Sequence, residues 1–368
     1  MSDRVVPRKK TRVVTVGDVP VGGDNPIPVQ SMTTTKTEDT QASIDQVQRL
    51  EEAGCQIIRL TVPSEEAAKS LEKIKLAAQV PIVADIHFNH VMALHAVDAG
   101  ADKIRINPGN IGKKERVAEI LKKVKAAGLP IRIGVNAGSL EKDLLDKYGY
   151  PTAEAMVESA ERHIKICQEH DFEDIIVSLK ASDTPLMIQA YRKFSEKYDY
   201  PLHLGVTEAG LYKQGSIKSA IGIGTLLAEG IGDTIRVSLA DDPVQEVKVG
   251  FEILKSLNLA TKGATIVACP TCGRLEVDLF KISQQVEEYL DKTDKTIKVA
   301  IMGCAVNGPG EAGDADIGVA CGKHEALLFK NGKAVGKIPE NQVVERLIQE
   351  IDAWNPEAEA EPVADGVG

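Results

Sequence analysis

The chain is predicted to be an α/β protein in which a closed (β/α)8 TIM barrel precedes a smaller α+β domain. Short β-branched runs alternate with amphipathic helical stretches from about residue 27 to about residue 255, giving eight strand–helix units. The alternation stops after Leu257, and Thr261-Lys262-Gly263 reads as a short linker. Beyond it, two strand-like runs each end directly at a cysteine motif. The expected divisions are a barrel over residues 1–260, a second domain over 261–354 and an acidic tail over 355–368. The Pro, Ala and Glu content of that tail predicts disorder.

The barrel strands are expected at Ile27–Ser31, Ile57–Thr61, Ile82–Ile86, Ile104–Asn107, Ile131–Val135, Ile175–Leu179, Leu202–Thr207 and Ile235–Leu239. Helices between them include Thr40–Glu52, Glu65–Ala78, Val91–Ala99, Lys113–Ala127 and Ala153–Glu169. A doubly wound open sheet shows the same alternation, and the count of eight is what favours closure. No glycine-rich dinucleotide fingerprint follows the first strand, which weakens a nicotinamide reading. The net charge of −10 and 4% aromatic content argue against nucleic acid as a partner. No apolar run reaches the roughly 18 residues of a membrane span. Met1 to Val14 is basic but has no apolar core of a signal peptide, so no membrane role is expected. Six cysteines in 368 residues are too sparse for a disulfide scaffold, which points to the reducing cytoplasm. Cys55 and Cys167 read as small buried hydrophobes.

The strands alternate polar and apolar residues, as in Arg59-Leu60-Thr61, Arg105-Ile106-Asn107, Arg132-Ile133-Gly134-Val135-Asn136, Ser178-Leu179-Lys180, His203-Leu204-Gly205-Val206-Thr207 and Arg236-Val237-Ser238. Period 2 puts each polar set on one face, and in a barrel the other face must pack on helices. Arg59, Arg105, Arg132, Lys180 and Arg236 therefore aim into one mouth, toward the strand ends where barrel enzymes build their sites. Confined cations repel one another unless an anion sits among them, and guanidinium matches phosphate oxygens bidentately. A substrate carrying phosphate is the expected ligand. The competing account pairs each cation with a barrel acid such as Asp85 or Glu208. Glu208, in Thr207-Glu208-Ala209-Gly210, is either a general acid/base or a counter-ion to Arg236 or Lys180. Asp85 and His87 share a face at the third strand tip, where a lone His is commonly a hydrogen-bonded scaffold group.

In the second domain, strands are expected at Thr265–Ala268 and Ile297–Met302, helices at Val277–Tyr289 and Gln342–Trp354, and a hairpin at Leu327–Val335 around Asn331-Gly332. The cysteine motifs are Cys269-Pro270-Thr271-Cys272-Gly273-Arg274 and Gly303-Cys304-Ala305-Val306-Asn307-Gly308-Pro309-Gly310-Glu311. Three thiolates leave one corner of a metal centre for a weaker ligand or for substrate, and turn N–H groups can tune an iron–sulfur cluster. Two fourth ligands remain open. Cys321 would close a site of four thiolates, whereas Glu311 would be a harder, exchangeable ligand unless it is a solvated loop acid.

Taken together, Val29-Gln30-Ser31-Met32-Thr33, Ala84-Asp85-Ile86-His87, Arg105-Ile106-Asn107-Pro108-Gly109-Asn110, Gly134-Val135-Asn136, Gly205 to Gly210, Cys269 to Cys272 and Asn307 to Glu311 resemble the bacterial 4-hydroxy-3-methylbut-2-enyl diphosphate synthases of the non-mevalonate isoprenoid pathway. The resemblance runs from about Arg8 to Trp354. It implies reductive ring opening of 2-C-methyl-D-erythritol 2,4-cyclodiphosphate with loss of a hydroxyl. It implies one [4Fe–4S] cluster per subunit on Cys269, Cys272, Cys304 and Glu311, which makes the second domain an iron–sulfur domain. Substrate would lie against Arg59, Arg105, Arg132, Asn136, Lys180, Arg236 and Ser238, with Glu208 as the catalytic acid/base. Electrons would come from a flavodoxin or ferredoxin, and the protein would be a homodimer in which one subunit's cluster domain covers the other's barrel. The rival functions are an open-cluster dehydratase without net reduction and a phosphate-binding barrel with a structural zinc module.

Overall fold

Main-chain pairing closes eight parallel strands on themselves in the first of two compact units, Met1–Leu259 and Ala260–Gly368. The structure, a computed structural model, describes residues 6–106, 111, 114–260, 263–293, 295–304 and 306–355. A hairpin of β1 (Val14–Val16) and β2 (Val19–Val21) comes first. The parallel strands β3 (Gln30–Met32), β4 (Ile57–Thr61), β5 (Ile82–Ile86), β6 (Lys103–Ile106), β7 (Ile131–Asn136) and β8 (Ile175–Lys180) then pair in chain order. The parallel pair β9 (His203–Leu204) and β10 (Thr234–Ile235) completes the ring. Single bridges join Val177 to Leu202 on one side of that pair and Ile235 to Val29 on the other.

The intervening helices are α1 (Thr40–Glu52), α2 (Glu65–Ala77), α3 (His90–Asp98), α4 (Lys114–Ala126), α5 (Lys142–Tyr148), α6 (Ala153–Glu169), α7 (Thr184–Lys197), α8 (Tyr212–Ala228) and α9 (Pro243–Ser256). Side chains of Asp39, Ser64, Asn89, Thr152, Asp183 and Asp242 accept first-turn N–H groups of α1, α2, α3, α6, α7 and α9. Each cap satisfies a donor that the helix itself cannot, and so defines where the chain turns back after a strand.

Strand periodicity sorts the barrel into two surfaces. Ile58, Leu60, Ile104, Ile133, Leu179 and similar residues are fully buried. The alternate residues face the barrel axis. At one end, Ile57, Val83 and Ile176 form an apolar cluster with Val14, Val16 and Val21, so the hairpin seals the floor. The registers Thr61↔Asp85, Asp85↔Arg105, Arg105↔Arg132 and Asn136↔Lys180 stack polar residues above that floor.

Three expected barrel strands are shorter than the sequence pattern suggested: the first starts at Gln30 rather than Ile27, and the seventh and eighth end early. The ladders stop at Leu204 and Ile235 rather than running to Thr207 and Leu239. Past those points single bonds replace the ladder, Thr207 N to Ala181 O and Arg236 N to Leu204 O. Glu208 at φ 51° and Gly210 at φ 112° cannot continue an extended strand. Asn107, the expected end of the fourth strand, and Lys113, the expected start of the helix after it, lie outside the described residues. The hairpin β1–β2 was not anticipated, since three-residue strands are too short for periodicity to reveal.

The second unit is a five-stranded sheet, β11 (Thr265–Ala268), β12 (Lys298–Met302), β13 (Ile317–Cys321), β14 (Glu325–Lys330) and β15 (Lys333–Pro339), in that spatial order. The first three are parallel and the remainder antiparallel. Helices α10 (Leu279–Leu290) and α12 (Val343–Ala353) contribute to the core on one face, with Val299, Ile301, Val319 and Cys321. The short helix α11 (Gly308–Gly313) supplies Ala312 to the other, with Ala300, Met302 and Ala320. Pro309 falls in the first turn of α11, where its missing N–H costs nothing, and Glu311 lies in the same turn. Strand β13 was also not anticipated. Thr261 and Lys262 of the expected linker, and tail residues 356–368, lie outside the described residues.

Ile57 is fully buried between the barrel floor and the hairpin. Ile57→Ala should cost about 2–5 kcal/mol, read as a lower unfolding midpoint, whereas Val13→Ala at a surface position should leave it unchanged. Equal midpoints for both variants would mean that the floor contributes little.

Candidate active site

The five expected cations do converge on the barrel axis, and they share very little negative charge. Asp85 on β5 stands between two of them, 2.9 Å from Arg105 and 3.5 Å from Arg59. Arg59 also donates to the Met32 sulfur, at 2.9 Å from Nη2 and 3.2 Å from Nε. Arg236 pairs with Glu246 of α9 at 3.2 Å. That carboxylate is itself fixed by the Ser31 hydroxyl at 2.8 Å and the Leu239 N–H at 3.0 Å. Arg132 is 1% exposed, and its Nε and Nη1 have no hydrogen-bond partner among the described residues. The pairing account is therefore correct for Arg59, Arg105 and Arg236, with Glu246 rather than Glu208 beside Arg236.

Burial in this cationic interior disfavours the positive charge of Arg59, Lys180 and Arg132. Arg59 is lowered to about 9 by desolvation, with Arg236 and Arg105 adding to the effect against Asp85. Burial, then the neighbouring cations Arg132 and Arg236, drives Lys180 well below the ordinary lysine range. Arg132 moves the same way through burial and the charges of Arg59 and Arg105. Desolvation opposes the charged form of Asp85, yet Arg59 and Arg105 outweigh it and hold its carboxyl below the usual range. An incoming phosphate would relieve these three cations at once.

Several polar groups of the interior were not singled out from sequence. Lys103 and His203 are fully buried, and neither Lys103 Nζ nor either ring nitrogen of His203 has a hydrogen-bond partner among the described residues. The side chain of Gln30 is equally buried and unpartnered there. Lys103 lies two residues before Arg105 on β6, so period 2 alone was enough to place it on the same face. Glu246 carried no such signal, because it comes from a helix.

Asn136 ends β7 and Ser238 follows β10, both half-buried. Glu208 is exposed on the loop after β9, in a left-handed backbone unusual for a residue with a side chain. The Ala240 N–H bonds Gly210 O at 3.0 Å and ties this loop to the one that carries Arg236 and Ser238. His87 lies 3.9 Å from Asp85 and is partly exposed.

In the second unit, the two cysteine loops lie at the ends of adjacent parallel strands. The Cys269 N–H bonds Ile301 O at 3.1 Å, and the Glu276 N–H bonds Gly303 O at 3.3 Å. N–H groups of Val306 and Asn307 pull the Cys304 thiol below its usual range. The Arg274 N–H and then its side chain do the same for Cys272. Arg274 also feels the charges of Cys304 and Cys269, so one guanidinium serves three thiols. Glu311 is exposed on α11. Among the described residues no three His, Cys, Asp or Glu side chains are arranged to grip a single metal ion. The donor set nonetheless fits an iron–sulfur cluster: soft sulfur, directed N–H groups and one carboxylate on a neighbouring helix. Cys321 is different. It is fully buried in the core on the α10 and α12 face, opposite α11, and burial pushes its thiol up to about 11.

Residues 11–251 match the GcpE TIM-barrel domain, and residues 265–353 match the GcpE protein C-terminal domain. A 4-hydroxy-3-methylbut-2-en-1-yl diphosphate synthase (flavodoxin) of Geobacillus kaustophilus is 58% identical over 348 residues, covering 95% of this chain and 93% of the relative. One of the same name from Exiguobacterium sibiricum is 57% identical over 361 residues, 98% of each chain. Another, from Bacillus subtilis, is 57% identical over 345 residues, 94% of this chain and 92% of the relative.

Because the carboxyl of Asp85 is held below its unfolded value, its stabilising contribution is complete above about pH 4 and is lost as pH falls through the folded value. Asp85→Asn should cost about 3–5 kcal/mol at pH 7 by leaving Arg59 and Arg105 unpaired. It should also flatten this acid limb in melting curves taken from pH 6 downward. An unchanged limb would show that other carboxylates dominate acid unfolding.

Proposed function

The chain belongs to the GcpE family, and from that membership and the cation-lined barrel we propose that it opens 2-C-methyl-D-erythritol 2,4-cyclodiphosphate reductively to 4-hydroxy-3-methylbut-2-enyl diphosphate. The observation that carries the proposal is the excess of buried cations over carboxylates at the barrel axis, with Arg132 left unpartnered among the described residues. A cyclic diphosphate supplies the missing negative charge and two sets of oxygens for planar guanidinium forks.

In this reading Arg59, Arg105, Arg132, Lys180 and Arg236, with Asn136 and Ser238, bind the two phosphates and orient the ring. Their charge stabilises the phosphate oxygen as its bond to ring carbon breaks. Two electrons enter, and one hydroxyl of the substrate leaves as water. Glu208 delivers the proton that this departure needs, since a carboxyl on the loop rim can reach substrate and solvent alike. Cys269, Cys272, Cys304 and Glu311 would hold the [4Fe–4S] cluster, which supplies single electrons and a Lewis-acidic iron when bound. Three lowered or adjacent thiols around Arg274 support that ligand set, and the seclusion of Cys321 counts against a closed zinc site of four thiolates. A flavodoxin, or a ferredoxin, is the one-electron donor. The same reading has the protein act in the cytoplasm as a homodimer, which sedimentation of the cluster-loaded protein would test. Among the described residues no helix is long and apolar enough to cross a membrane.

Protein purified without oxygen should carry about four irons and four sulfides per chain and turn over the cyclic diphosphate with a low-potential reductant. One zinc and no sulfide would overturn the reductase. Turnover without any reductant would favour a dehydratase. Glu208→Gln should keep the brown cluster spectrum and slow turnover by about 100-fold or more, within the usual range for a lost proton donor. Unimpaired turnover removes Glu208 from the chemistry. Cys304→Ser should lose cluster absorption and activity together, and a fully retained cluster would disprove that ligand.

A further inference from the structure

Two of the barrel cations lie across a glycine on the next strand of the ring. A Cβ on Gly134 of β7 would stand 2.7 Å from Nε of Arg105, 2.8 Å from its Nη2 and 3.2 Å from its Cζ. A Cβ on Gly205, just past β9, would stand 2.7 Å from Nζ of Lys180 and 3.2 Å from its Cε. Contacts this short lie inside van der Waals separation, so neither position can carry a side chain while the cation stays where it is. Neither glycine has the left-handed backbone that would by itself call for glycine. What each position contributes is the absence of a side chain.

The pattern repeats in sequence as well as in space. Gly134-Val135-Asn136 and Gly205-Val206-Thr207 each place a glycine facing the axis, a buried valine facing the helices and a polar residue beyond. Arg105 is tethered through Nη1 to Asp85 at 2.9 Å, and its Nε, over Gly134, is buried without a partner among the described residues. The tether sets one edge of the fork and the glycine leaves room for the other.

We propose that Gly134 and Gly205 are positioning residues that seat the Arg105 guanidinium and the Lys180 ammonium flat against the barrel wall, in the pose that receives substrate phosphate. A methyl group at either seat would lift its cation out of that pose and into the space that the anion occupies. The proposal rests on the cyclic diphosphate reading for the identity of the phosphate, not for the seat. The two seats differ in one respect. A Cβ on Gly205 would also stand 2.5 Å from the main-chain oxygen of Arg236, so filling it strains the barrel itself. At Gly134 the three nearest atoms all belong to the end of a flexible side chain, so Gly134→Ala moves Arg105 with little strain on the backbone.

The test titrates oxidised, cluster-loaded protein by calorimetry, without reductant, using the cyclic diphosphate and separately inorganic pyrophosphate. Gly134→Ala should weaken both by about 10- to 100-fold, the loss expected for a charge-assisted contact, with melting temperature and cluster spectrum kept. In an Arg105→Ala background the same change should alter affinity less than about 2-fold, because the residue through which it acts is gone. Gly224→Ala on the surface of α8, with open space around its Cβ, controls for a generic glycine effect and should leave affinity unchanged. Native affinity in Gly134→Ala, or an undiminished loss in the Arg105→Ala background, would overturn the seat. Native protein that binds pyrophosphate but not the cyclic diphosphate would instead overturn the substrate reading, and the pyrophosphate series would still decide the seat. Failure to bind either probe would overturn both.

Discussion

Positive charge buried inside the barrel is the constraint on which the site depends. Arg59, Lys103, Arg105, Arg132, Lys180 and Arg236 come from strands and strand ends around the ring, while Asp85 and Glu246 supply carboxylates that pair with Arg59, Arg105 and Arg236. Removing a cation from water is expensive, and neighbouring cations raise the cost further. The fold tolerates the arrangement because the eight-stranded ring is closed by main-chain bonds and its floor is sealed by apolar residues of the hairpin. Stability resides in the strands and the floor, which leaves the mouth free to remain electrostatically incomplete.

That incompleteness is graded. Arg59 and Arg105 share Asp85, Arg59 and Arg236 lean on the soft sulfur of Met32, and Arg132 is left with two nitrogens unpartnered among the described residues. A thioether is a weak acceptor, so it can orient a guanidinium without neutralising it. The cations are thus positioned by groups that compete poorly with phosphate. In the second unit the same logic applies with opposite sign: Arg274 and the turn N–H groups of Val306 and Asn307 gather around thiols. Each unit holds one kind of charge ready for a group of the other kind.

Much of this was legible from residue order. The strands Ile57–Thr61 and Ile82–Ile86 and the helices Thr40–Glu52 and Ala153–Glu169 have the bounds their periodicity indicated, because long segments with one buried face leave little freedom of register. The inward direction of Arg59, Arg105, Arg132 and Lys180 followed from period 2. The shortened seventh and eighth strands were less legible, since the residues beyond Leu204 and Ile235 are as β-branched as those before them. The ladder stops at Leu204, and the chain turns left-handed only at Glu208, a break that the residue types do not announce. Strand β13 and helix α11 escaped notice because glycine-rich, alanine-rich segments carry little hydrophobic contrast.

Sequence alone determined the alternation of strand and helix, the polar inner face and the two cysteine motifs, since each depends on spacing along the chain. Only the tertiary structure decided who compensates whom. Glu246 reaches Arg236 from a helix, Asp85 rather than Glu208 joins two arginines, Cys321 faces away from α11, and Gly134 lies beneath Arg105. These are contacts between elements, and closure of the ring and the facing of the sheet set them. Spacing along one strand fixes a direction for a side chain, whereas its partner depends on which other strand or helix the fold brings opposite it.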